Sequence, residues 1–224
     1  MRTPASSADI TSKRVREAAV RVFAQKGFAA AGIREIATEA NLTPAALYHY
    51  MTSKEDLLVE IMRSTIEPLD RAAREAIIEL DEPERRLGAL VALHVWMHGS
   101  RAKATLVTDT ELRSLQGAHR ASVLRLRDRY QKRWRDVIAA GVADGTFDVD
   151  DVPLTAIGLL ELCTGVSHWY AKSGRRALIE LCDIHVNWAL RIVLARRDGR
   201  LVRRVDLDLP DPAARFPLRE PDEN

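Results

Sequence analysis

The sequence has little cysteine, few aromatic residues and no long apolar run, and each of these absences narrows the possible classes of protein. Its 224 residues include two cysteines, and aromatic residues make up 5%. Cys163 and Cys182 lie in segments predicted to be amphipathic helices, where a small thiol most often fills the core. No apolar run approaches the roughly 20 residues that span a bilayer, and the N-terminus lacks the apolar core of a signal peptide. We therefore expect a cytoplasmic protein that makes no contact with a membrane.

The motifs of several common enzyme classes are also missing. The sequence contains no G-x-S-x-G elbow, no phosphate-binding P-loop and no dinucleotide glycine fingerprint. His94 and His98 have the i, i+4 spacing of a metal pair, but no HExxH motif and no facing carboxylate cluster accompanies them. We therefore predict no enzyme, no catalytic residue, no metal and no cofactor. A helical hydrolase or transferase acting on thioesters is the alternative from the enzyme class.

Helical patterns account for most of the chain, and no segment shows the alternation typical of a β-strand. The composition, with 46% hydrophobic and 29% charged residues, is ordinary for a helical protein. At this length, two domains fit better than one. We predict an all-α protein with a small domain over residues 1–55 and a larger domain over 56–197. The segment 198–224 mixes charges and prolines with few apolar groups, so we expect an extended or partly disordered tail.

Residues 27–57 contain two short helical patterns separated by a tight turn. Asn41 tolerates the left-handed conformation that a corner between two helices requires, and Leu42 anchors the turn in the core. Thr43 can cap the next helix through its hydroxyl, while Pro44, which lacks an N–H, suits the first helical position. The spacing therefore predicts a helix-turn-helix, whose first helix buries Ile33, Ile36, Ala37 and Ala40.

The second helix of this motif leaves small groups and flat hydrogen-bonding side chains on its outer face, and such a surface fits the major groove of DNA. After it, Ser53 and the acid Asp56 predict a capped helix start, where Lys54 lies beside exposed amides. A net charge of +2 does not by itself indicate nucleic acid, so the motif carries the prediction. The predicted DNA-binding residues are Arg34, Thr43, Pro44, Ala45, Tyr48, His49 and Lys54.

The run from Gly27 to Leu57 resembles the DNA-binding domain of TetR-family repressors. The resemblance rests on Leu47-Tyr48-His49-Tyr50 and Lys54-Glu55. It implies an N-terminal three-helix helix-turn-helix DNA-binding domain, a larger helical ligand-binding and dimerisation domain, and a palindromic double-stranded DNA operator. At residue 31 the family commonly has a threonine that caps a helix, so the role of this position is open. The departures from the family pattern are Ala31, Asn41, Ala45 and Met51.

Two predicted helices late in the chain, residues 154–172 and 178–195, carry more apolar residues than one buried face needs. In the TetR family this pair forms a four-helix bundle with its twin, and the surplus apolar surface is what such a homodimer interface requires. Packing within a monomer core is the alternative. The resemblance therefore implies a dimer interface at Leu159, Leu162, Val166, Ile179, Cys182 and Val186.

Aromatic and basic residues are concentrated in the middle helices. Three short stretches, residues 111–113, 127–130 and 165–170, resemble the ligand domains of TetR regulators that respond to acyl-CoA. That resemblance implies an apolar channel for an acyl group, with arginines that meet the phosphates of coenzyme A. Packing in a helical core is the alternative for the aromatic residues. The predicted ligand-binding residues are Trp96, Arg125, Arg129, Tyr130, Trp134 and Trp169.

Together these expectations describe a repressor that a small-molecule effector releases from its operator. The candidate effector is an acyl-CoA or a related thioester. Effector binding would shift the long helix that starts near Lys54, with Pro68 as its pivot, because an internal proline removes a helical hydrogen bond. The alternative within the DNA-binding class is a constitutive DNA-binding dimer without a ligand.

Overall fold

The computed structural model describes residues 7–216 and is built almost entirely of helices. This confirms the all-α prediction, although the expectation of no strand is wrong for one short hairpin. The hairpin pairs β1 (Arg196–Arg197) with β2 (Arg200–Leu201) in antiparallel register. Short 3₁₀ segments lie at Glu111–Ser114 and Arg204–Asp206. The helices are α1 (Ser7–Ala30), α2 (Ile33–Glu39), α3 (Pro44–Leu47), α4 (Lys54–Ile77), α5 (Pro83–Ser100), α6 (Ala102–Thr110), α7 (Gly117–Ala143), α8 (Val152–Thr164), α9 (Val166–Trp169), α10 (Leu178–Ile192) and α11 (Pro212–Arg215).

The chain divides into two compact units, and their limits differ from the predicted domain boundary at residue 55. The first unit contains the chain up to Thr65 together with residues 103–126. The second contains residues 66–102 and the chain from Arg127 onward. The chain therefore changes unit three times, once within α4, once within α6 and once within α7. A boundary read along the sequence could not show that α6 and the first part of α7 belong with the N-terminal helices.

In the first unit, α1 buries an apolar stripe along one face. The helix breaks at Gly27, whose φ of 77° and ψ of 160° lie outside the helical region and suit a residue without a Cβ. After this break, the ring of Phe28 packs edge-on against Phe23, with ring centroids 5.4 Å apart. The buried stripe consists of Val15, Ala18, Ala19, Val22 and Phe23.

The long helix α4 has a defined start and a weak point. Its first turn is capped by Ser53, whose hydroxyl oxygen accepts a hydrogen bond from the Asp56 N–H at 3.0 Å. Further along, the hydroxyls of Ser64 and Thr65 both donate to the carbonyl of Ile61, a pattern that bends helices. Pro68 lies just beyond and cannot donate a backbone hydrogen bond. The weak point thus coincides with the limit of the first unit at Thr65.

The second unit is built around α5, which is buried on every face. All residues from Leu87 to Gly99 are buried, so the helix needs cover from several sides. Packing against α8, α9 and α10 supplies part of this cover. The core also includes Trp96, Tyr130 and Trp134. No helix within residues 7–216 combines the length and apolar character needed to cross a membrane.

The expected tail is not extended over its described part. Within residues 198–216, Val202, Leu207 and Phe216 are buried in the core of the second unit, and Leu209 packs against that core. The sequence prediction counted apolar groups within the segment alone, whereas the cover comes from α5 and α10. The rest of the predicted tail, residues 217–224, lies outside the described residues.

Candidate nucleic-acid interface

The corner between α2 and α3 has the backbone geometry that the sequence predicts. Asn41 has a φ of 52°, in the left-handed region. Its N–H bonds to the carbonyl of Thr38 at 3.0 Å, and the Leu42 N–H bonds to that of Ala37 at 2.8 Å. This pair of bonds is a Schellman motif, which satisfies the last carbonyls of a helix and turns the chain. Bonds between residues at most five positions apart therefore determine the direction in which α3 leaves.

The start of α3 is fixed by Thr43 and Pro44. The Thr43 hydroxyl accepts a hydrogen bond from the Ala46 N–H at 3.1 Å, and Pro44 takes the first helical position. Leu47 is fully buried and anchors the helix from below. Only one regular turn forms, and the chain then continues through turns at Tyr48–Tyr50, stabilised by a bond from the Tyr50 N–H to the Leu47 carbonyl at 2.9 Å.

The outer side of this corner presents the side chains that the sequence predicts for base and phosphate contacts. Tyr48 is 57% exposed, and its ring stands away from the core although aromatic residues are usually well buried. His49 beside it is exposed too. The small side chains between the Thr43 cap and Tyr48 leave room for the wall of a DNA groove. Thr43, Pro44 and Ala45 complete the exposed face.

Arg34 and the ion pairs of α2 give the corner its electrostatic character. Arg34 is exposed in the first turn of α2, and its guanidinium has no hydrogen-bond or ion-pair partner within residues 7–216. Glu35 pairs with Lys26, which holds the pKa of that carboxyl below its usual value. Glu39 pairs with Arg21 at 2.5 Å. The two acids of α2 are therefore neutralised by α1, while the guanidinium of Arg34 is available for a phosphate.

Lys54 is placed differently from the sequence expectation. Its ammonium group donates to the carbonyls of Phe28 at 2.8 Å and Ala31 at 3.1 Å, with that of Ala29 at 3.4 Å, and it lies 4.5 Å from the centroid of the Phe28 ring. An ammonium has three protons, and all three are directed at these carbonyls. Lys54 thus ties the end of α1 to the start of α4.

The position of residue 31 is also resolved. Ala31 is buried, and the residue that precedes α2 as its N-cap is Gly32, which offers no side-chain bond. A hydroxyl at position 31 would lie inside the first unit rather than at the exposed cap. The departure from the family pattern at this position therefore removes no exposed group from the corner.

The predicted ligand-binding residues fall into two groups. Trp96, Tyr130 and Trp134 come together in the core of the second unit, as aromatic packing and a ligand wall would both require. Trp169 does not join them, because its side chain is 58% exposed. Trp188 is partly exposed, and its ring lies 4.7 Å from that of His185 at an angle of 57°.

The two predicted phosphate-binding arginines do not line the aromatic core. Arg125 is exposed and belongs to the first unit. Arg129 is exposed and donates through Nε to the Asp70 carboxylate at 3.0 Å, and Arg133 binds the same carboxylate at 2.6 Å. Helical spacing alone could not show this, because Asp70 comes from α4. A shallow cleft of about 140 Å³ lies beside this cluster, lined by Ile77, Arg86, Arg133, Asp136 and Val137.

A buried hydrogen-bonded cluster, missed by the sequence analysis, lies beside the aromatic residues. His94 Nδ1 lies 3.0 Å from the Tyr130 hydroxyl, and its Nε2 lies 3.0 Å from the Thr164 hydroxyl. Burial, with the neighbouring His98 and Arg127, lowers the pKa of His94 well below 6.5, so the imidazole is neutral at pH 7. Burial raises the pKa of Tyr130 as well. Trp134 Nε1 has no hydrogen-bond partner in the described structure.

The predicted dimer residues require a correction. Leu159, Val166, Cys182 and Val186 are buried in the core of a single chain, so they cannot form the surface that meets a second copy. Leu162 and Ile179 are exposed, as a dimer contact requires. Four of the six predicted residues therefore face the core of their own chain. The exposed apolar residues of α8 and α10 are Leu154, Ile157, Leu162, Ile179, Trp188 and Ile192.

Comparison with known proteins agrees with this organisation. Residues 15–61 match the family model of bacterial regulatory proteins of the tetR family, and residues 80–193 match the tetracyclin repressor-like C-terminal domain. The chain is 29% identical over 179 residues to the HTH-type transcriptional repressor KstR2 of Rhodococcus jostii, covering 77% of this chain and 88% of that protein. It is 31% identical over 181 residues to the HTH-type transcriptional repressor NicS of Pseudomonas putida, covering 78% and 81%.

The fold is also found in a solved structure. A bacterial regulatory protein of the tetR family from Rhodococcus RHA1 superimposes with a TM-score of 0.79 at 30% sequence identity, covering 86% of this chain and 100% of that one. The C-terminal family model ends at Val193, so the hairpin and the segments after it lie outside the matched residues.

Proposed function

Because the chain belongs to the TetR family of bacterial transcriptional regulators, we propose that it is a cytoplasmic, homodimeric repressor that binds a palindromic operator and is released by a small-molecule effector. The relatives are regulators, and we propose no catalytic role. Each part of the proposal is supported by a different feature of the chain.

The observation that carries DNA binding is the exposed face of the α2–α3 corner. A tyrosine that is 57% exposed, beside an exposed histidine and small residues, contributes nothing to the core and is placed by a rigid corner. Such a side chain has hydrogen-bonding and stacking capacity that only a partner can use. Base edges in a major groove are that partner, while Arg34 and the amides at the start of α4 meet phosphates on either side.

Dimerisation is supported by the exposed apolar face of α8 and α10. Leu154 is 65% exposed, and Ile157 lies one turn further along the same face of α8. At Gly158 a Cβ would meet nothing within 4 Å, so the backbone itself is open to close approach. A second copy would bury these residues and repeat the DNA-binding corner in a second half-site, as a palindrome requires.

Release by an effector needs a connection between the second unit and the corner. Helix α4 provides one, since it begins beside the corner and continues beyond the limit of the first unit. Its weak point at Ile61–Pro68 is where a shift of the second half would change the angle of the first, and a ligand would need a coupling of about 1 to 3 kcal/mol to change operator occupancy 5- to 150-fold. We propose Pro68 as the pivot, and an unchanged effector response in Pro68→Ala would reject it.

A second candidate function is a constitutive DNA-binding dimer without a ligand. The observation that favours it is the closed core around Trp96, Tyr130 and Trp134, whose side chains are all buried. A thermal-shift screen with coenzyme A thioesters and free acids, followed by operator binding with each hit, separates the two. A hit that stabilises the protein and dislodges DNA supports the regulated form, while operator binding with no hit favours the constitutive dimer.

DNA binding and dimerisation have a joint test. Duplexes from the neighbourhood of the chain's own gene are titrated with protein at several salt concentrations, and we expect binding that weakens steeply as salt rises. Ile157→Glu places a charge on the proposed dimer face and should give a monomer with operator affinity reduced by at least about a hundredfold, because half-site energies no longer add. The matched control is Ile78→Glu, which changes a 71% exposed isoleucine outside that face and should remain dimeric.

A further inference from the structure

The segment after α10 forms a strap, residues 196–216, that runs along α5. Near the start of α5, Arg197 pairs with the buried Glu84, with Nε and Oε1 2.9 Å apart. Arg204 pairs with Asp183 of α10 at 2.7 Å, and its N–H donates to the Asn187 side chain at 2.9 Å. These charged contacts fix the first half of the strap, residues 196–206, to both helices.

The second half, residues 207–216, is held mainly by apolar contacts, and we call it the distal strap. A Cβ at Gly88 of α5 would lie 3.0 Å from Leu209 Cδ1 and 3.2 Å from Leu207 Cδ1, so the leucines pack directly on the helix backbone. The guanidinium of Arg85 donates to the Asp208 carbonyl at 3.1 Å through Nε and Nη2. The ion pair between Arg85 and Asp208 is long, with 3.9 Å between Nη2 and Oδ2.

Phe216 occupies a place that the sequence analysis assigned to a ligand. Its carbonyl accepts a hydrogen bond from Trp96 Nε1 at 2.6 Å, and its buried ring lies 5.0 Å below the guanidinium of Arg101. Trp96 is the predicted ligand-binding residue on α5. The indole N–H that a ligand could use is therefore occupied by the chain's own backbone.

We propose that the effector site is the face of α5 under the distal strap, from Gly88 to the end of the helix, together with Arg101 just after it, and that the distal strap fills this site until an effector displaces it. The proposal rests on the proposed function, because it identifies where that effector binds. It also explains why the core is closed without a ligand: the strap supplies the apolar cover that α5 needs on this side.

The chemistry of the distal strap defines the class of ligand. Two leucine side chains pack on the backbone of α5 at Gly88, and a flat ring lies against a cation. A neutral carbonyl oxygen accepts the Trp96 N–H. A ligand that replaces these groups has an elongated apolar body, a planar ring or flat face, and one neutral hydrogen-bond acceptor. The group that meets the indole N–H in the strap is an uncharged carbonyl, so we expect a neutral acceptor to be preferred over a free carboxylate.

The test uses Nile red, a neutral planar dye with a carbonyl acceptor whose fluorescence rises in apolar sites. The full chain, Phe216→Ala and Val205→Ala are titrated with the dye. If a ligand can bind only molecules in which the strap has left the site, its apparent Kd equals the intrinsic Kd divided by the fraction of molecules with an open site. We expect Phe216→Ala to bind the dye at least about tenfold more tightly than the unsubstituted chain. Val205→Ala changes a residue that is 77% exposed on the same strap, so this variant should bind the dye as the unsubstituted chain does.

Two further variants make the result specific to this site. Trp96→Phe keeps the aromatic ring but removes the N–H, and adding it to Phe216→Ala should cancel most of the gain in affinity. Leu209→Ala should increase dye affinity in the same direction as Phe216→Ala, which covers the case that Phe216→Ala does not fold. Equal affinity of Phe216→Ala, Leu209→Ala and Val205→Ala for the dye would overturn the proposal.

This experiment does not depend on DNA. Operator binding by the same proteins is measured separately. If the strap variants change Nile red affinity but the chain binds no operator, the proposed function is wrong while the proposed effector site stands. If the chain binds operator but Phe216→Ala and Leu209→Ala leave Nile red affinity unchanged, only the proposed effector site is wrong.

Discussion

The DNA-binding corner and the distal strap place their key side chains by opposite means. At the corner, bonds between residues at most five positions apart fix the backbone, and the side chains that matter are exposed. Along the strap, Phe216 meets Trp96 across 120 positions of sequence, and the groups that matter are buried. At the corner, local hydrogen bonds hold side chains on an exposed surface where DNA can contact them. Along the strap, packing between distant parts of the chain buries the proposed effector site under residues of the chain itself.

The largest effect is expected from truncating the exposed aromatic residue of the DNA-binding corner, with an equally exposed aromatic residue elsewhere as the control. Tyr48 and Trp169 are 57% and 58% exposed, so truncating either should leave the melting temperature almost unchanged. Tyr48→Ala should weaken operator binding by roughly 10- to 100-fold, because a base or groove contact is lost. Trp169→Ala should bind the operator like the parent chain. Fluorescence anisotropy at constant salt measures both, and equal loss in the two variants would remove Tyr48 from the interface.

A smaller effect is expected at the left-handed position of the corner. Asn41→Ile places a β-branched residue at a φ of 52°, which should lower the free energy of unfolding by about 1 to 2 kcal/mol and disturb the direction of α3. Asn41→Gly tolerates this conformation and serves as the control. Thermal unfolding and operator binding are measured together, and an Asn41→Ile chain as stable as the Gly variant would show that the corner does not depend on this residue.

The buried cluster of the second unit should respond to pH. His94 has a folded-state pKa well below its unfolded value of 6.5, so only the unfolded chain takes up its proton as the pH falls below 6.5. Stability should therefore fall as the pH drops from 6.5, by up to about 1.4 kcal/mol per pH unit from this group. His94→Gln should flatten the dependence between pH 6.5 and 5.5 in urea unfolding. His168→Gln, at an exposed position, is the control, and an unchanged slope in His94→Gln would contradict the assignment.

The smallest effect separates two roles of Lys54. If its ammonium ties α1 to α4, Lys54→Met lowers the melting temperature while the slope of log affinity against log salt stays the same. If it contacts a phosphate, the slope falls in magnitude by about 0.9. Arg34→Met is the comparison, since its guanidinium is exposed and should contribute that change in slope. A stable Lys54→Met chain with a reduced slope would restore the sequence expectation.

The sequence predicted the corner well because every determinant lies within it. The left-handed Asn41, the Thr43 cap, Pro44 at the first position and buried Leu47 each act through bonds to close neighbours. The family resemblance added the fold of the second domain. The start of α4 was also predictable, because Ser53 marks it with a cap.

The rest depended on partners distant in sequence. Whether Leu159 or Leu162 faces outward depends on which side of α8 meets the core, and apolar composition alone does not distinguish the sides. Asp70 lies on α4 and pairs with both Arg129 and Arg133 of α7, so the sequence around Arg129 could not show that its guanidinium has a partner within the chain. The strap was interpreted as a tail because the apolar surface that orders it lies on α5.

Protection of guanine N7 from methylation tests the central claim most directly, because that atom lies in the major groove. With the dimer bound to a duplex from the neighbourhood of its own gene, the account predicts protected guanines in two half-sites separated by about 34 Å or a multiple of it. Tyr48→Ala should lose this protection at the same protein concentration. Bound protein with no protected N7, or with protection that Tyr48→Ala retains in full, would contradict the placement of residues 43–50 in the major groove.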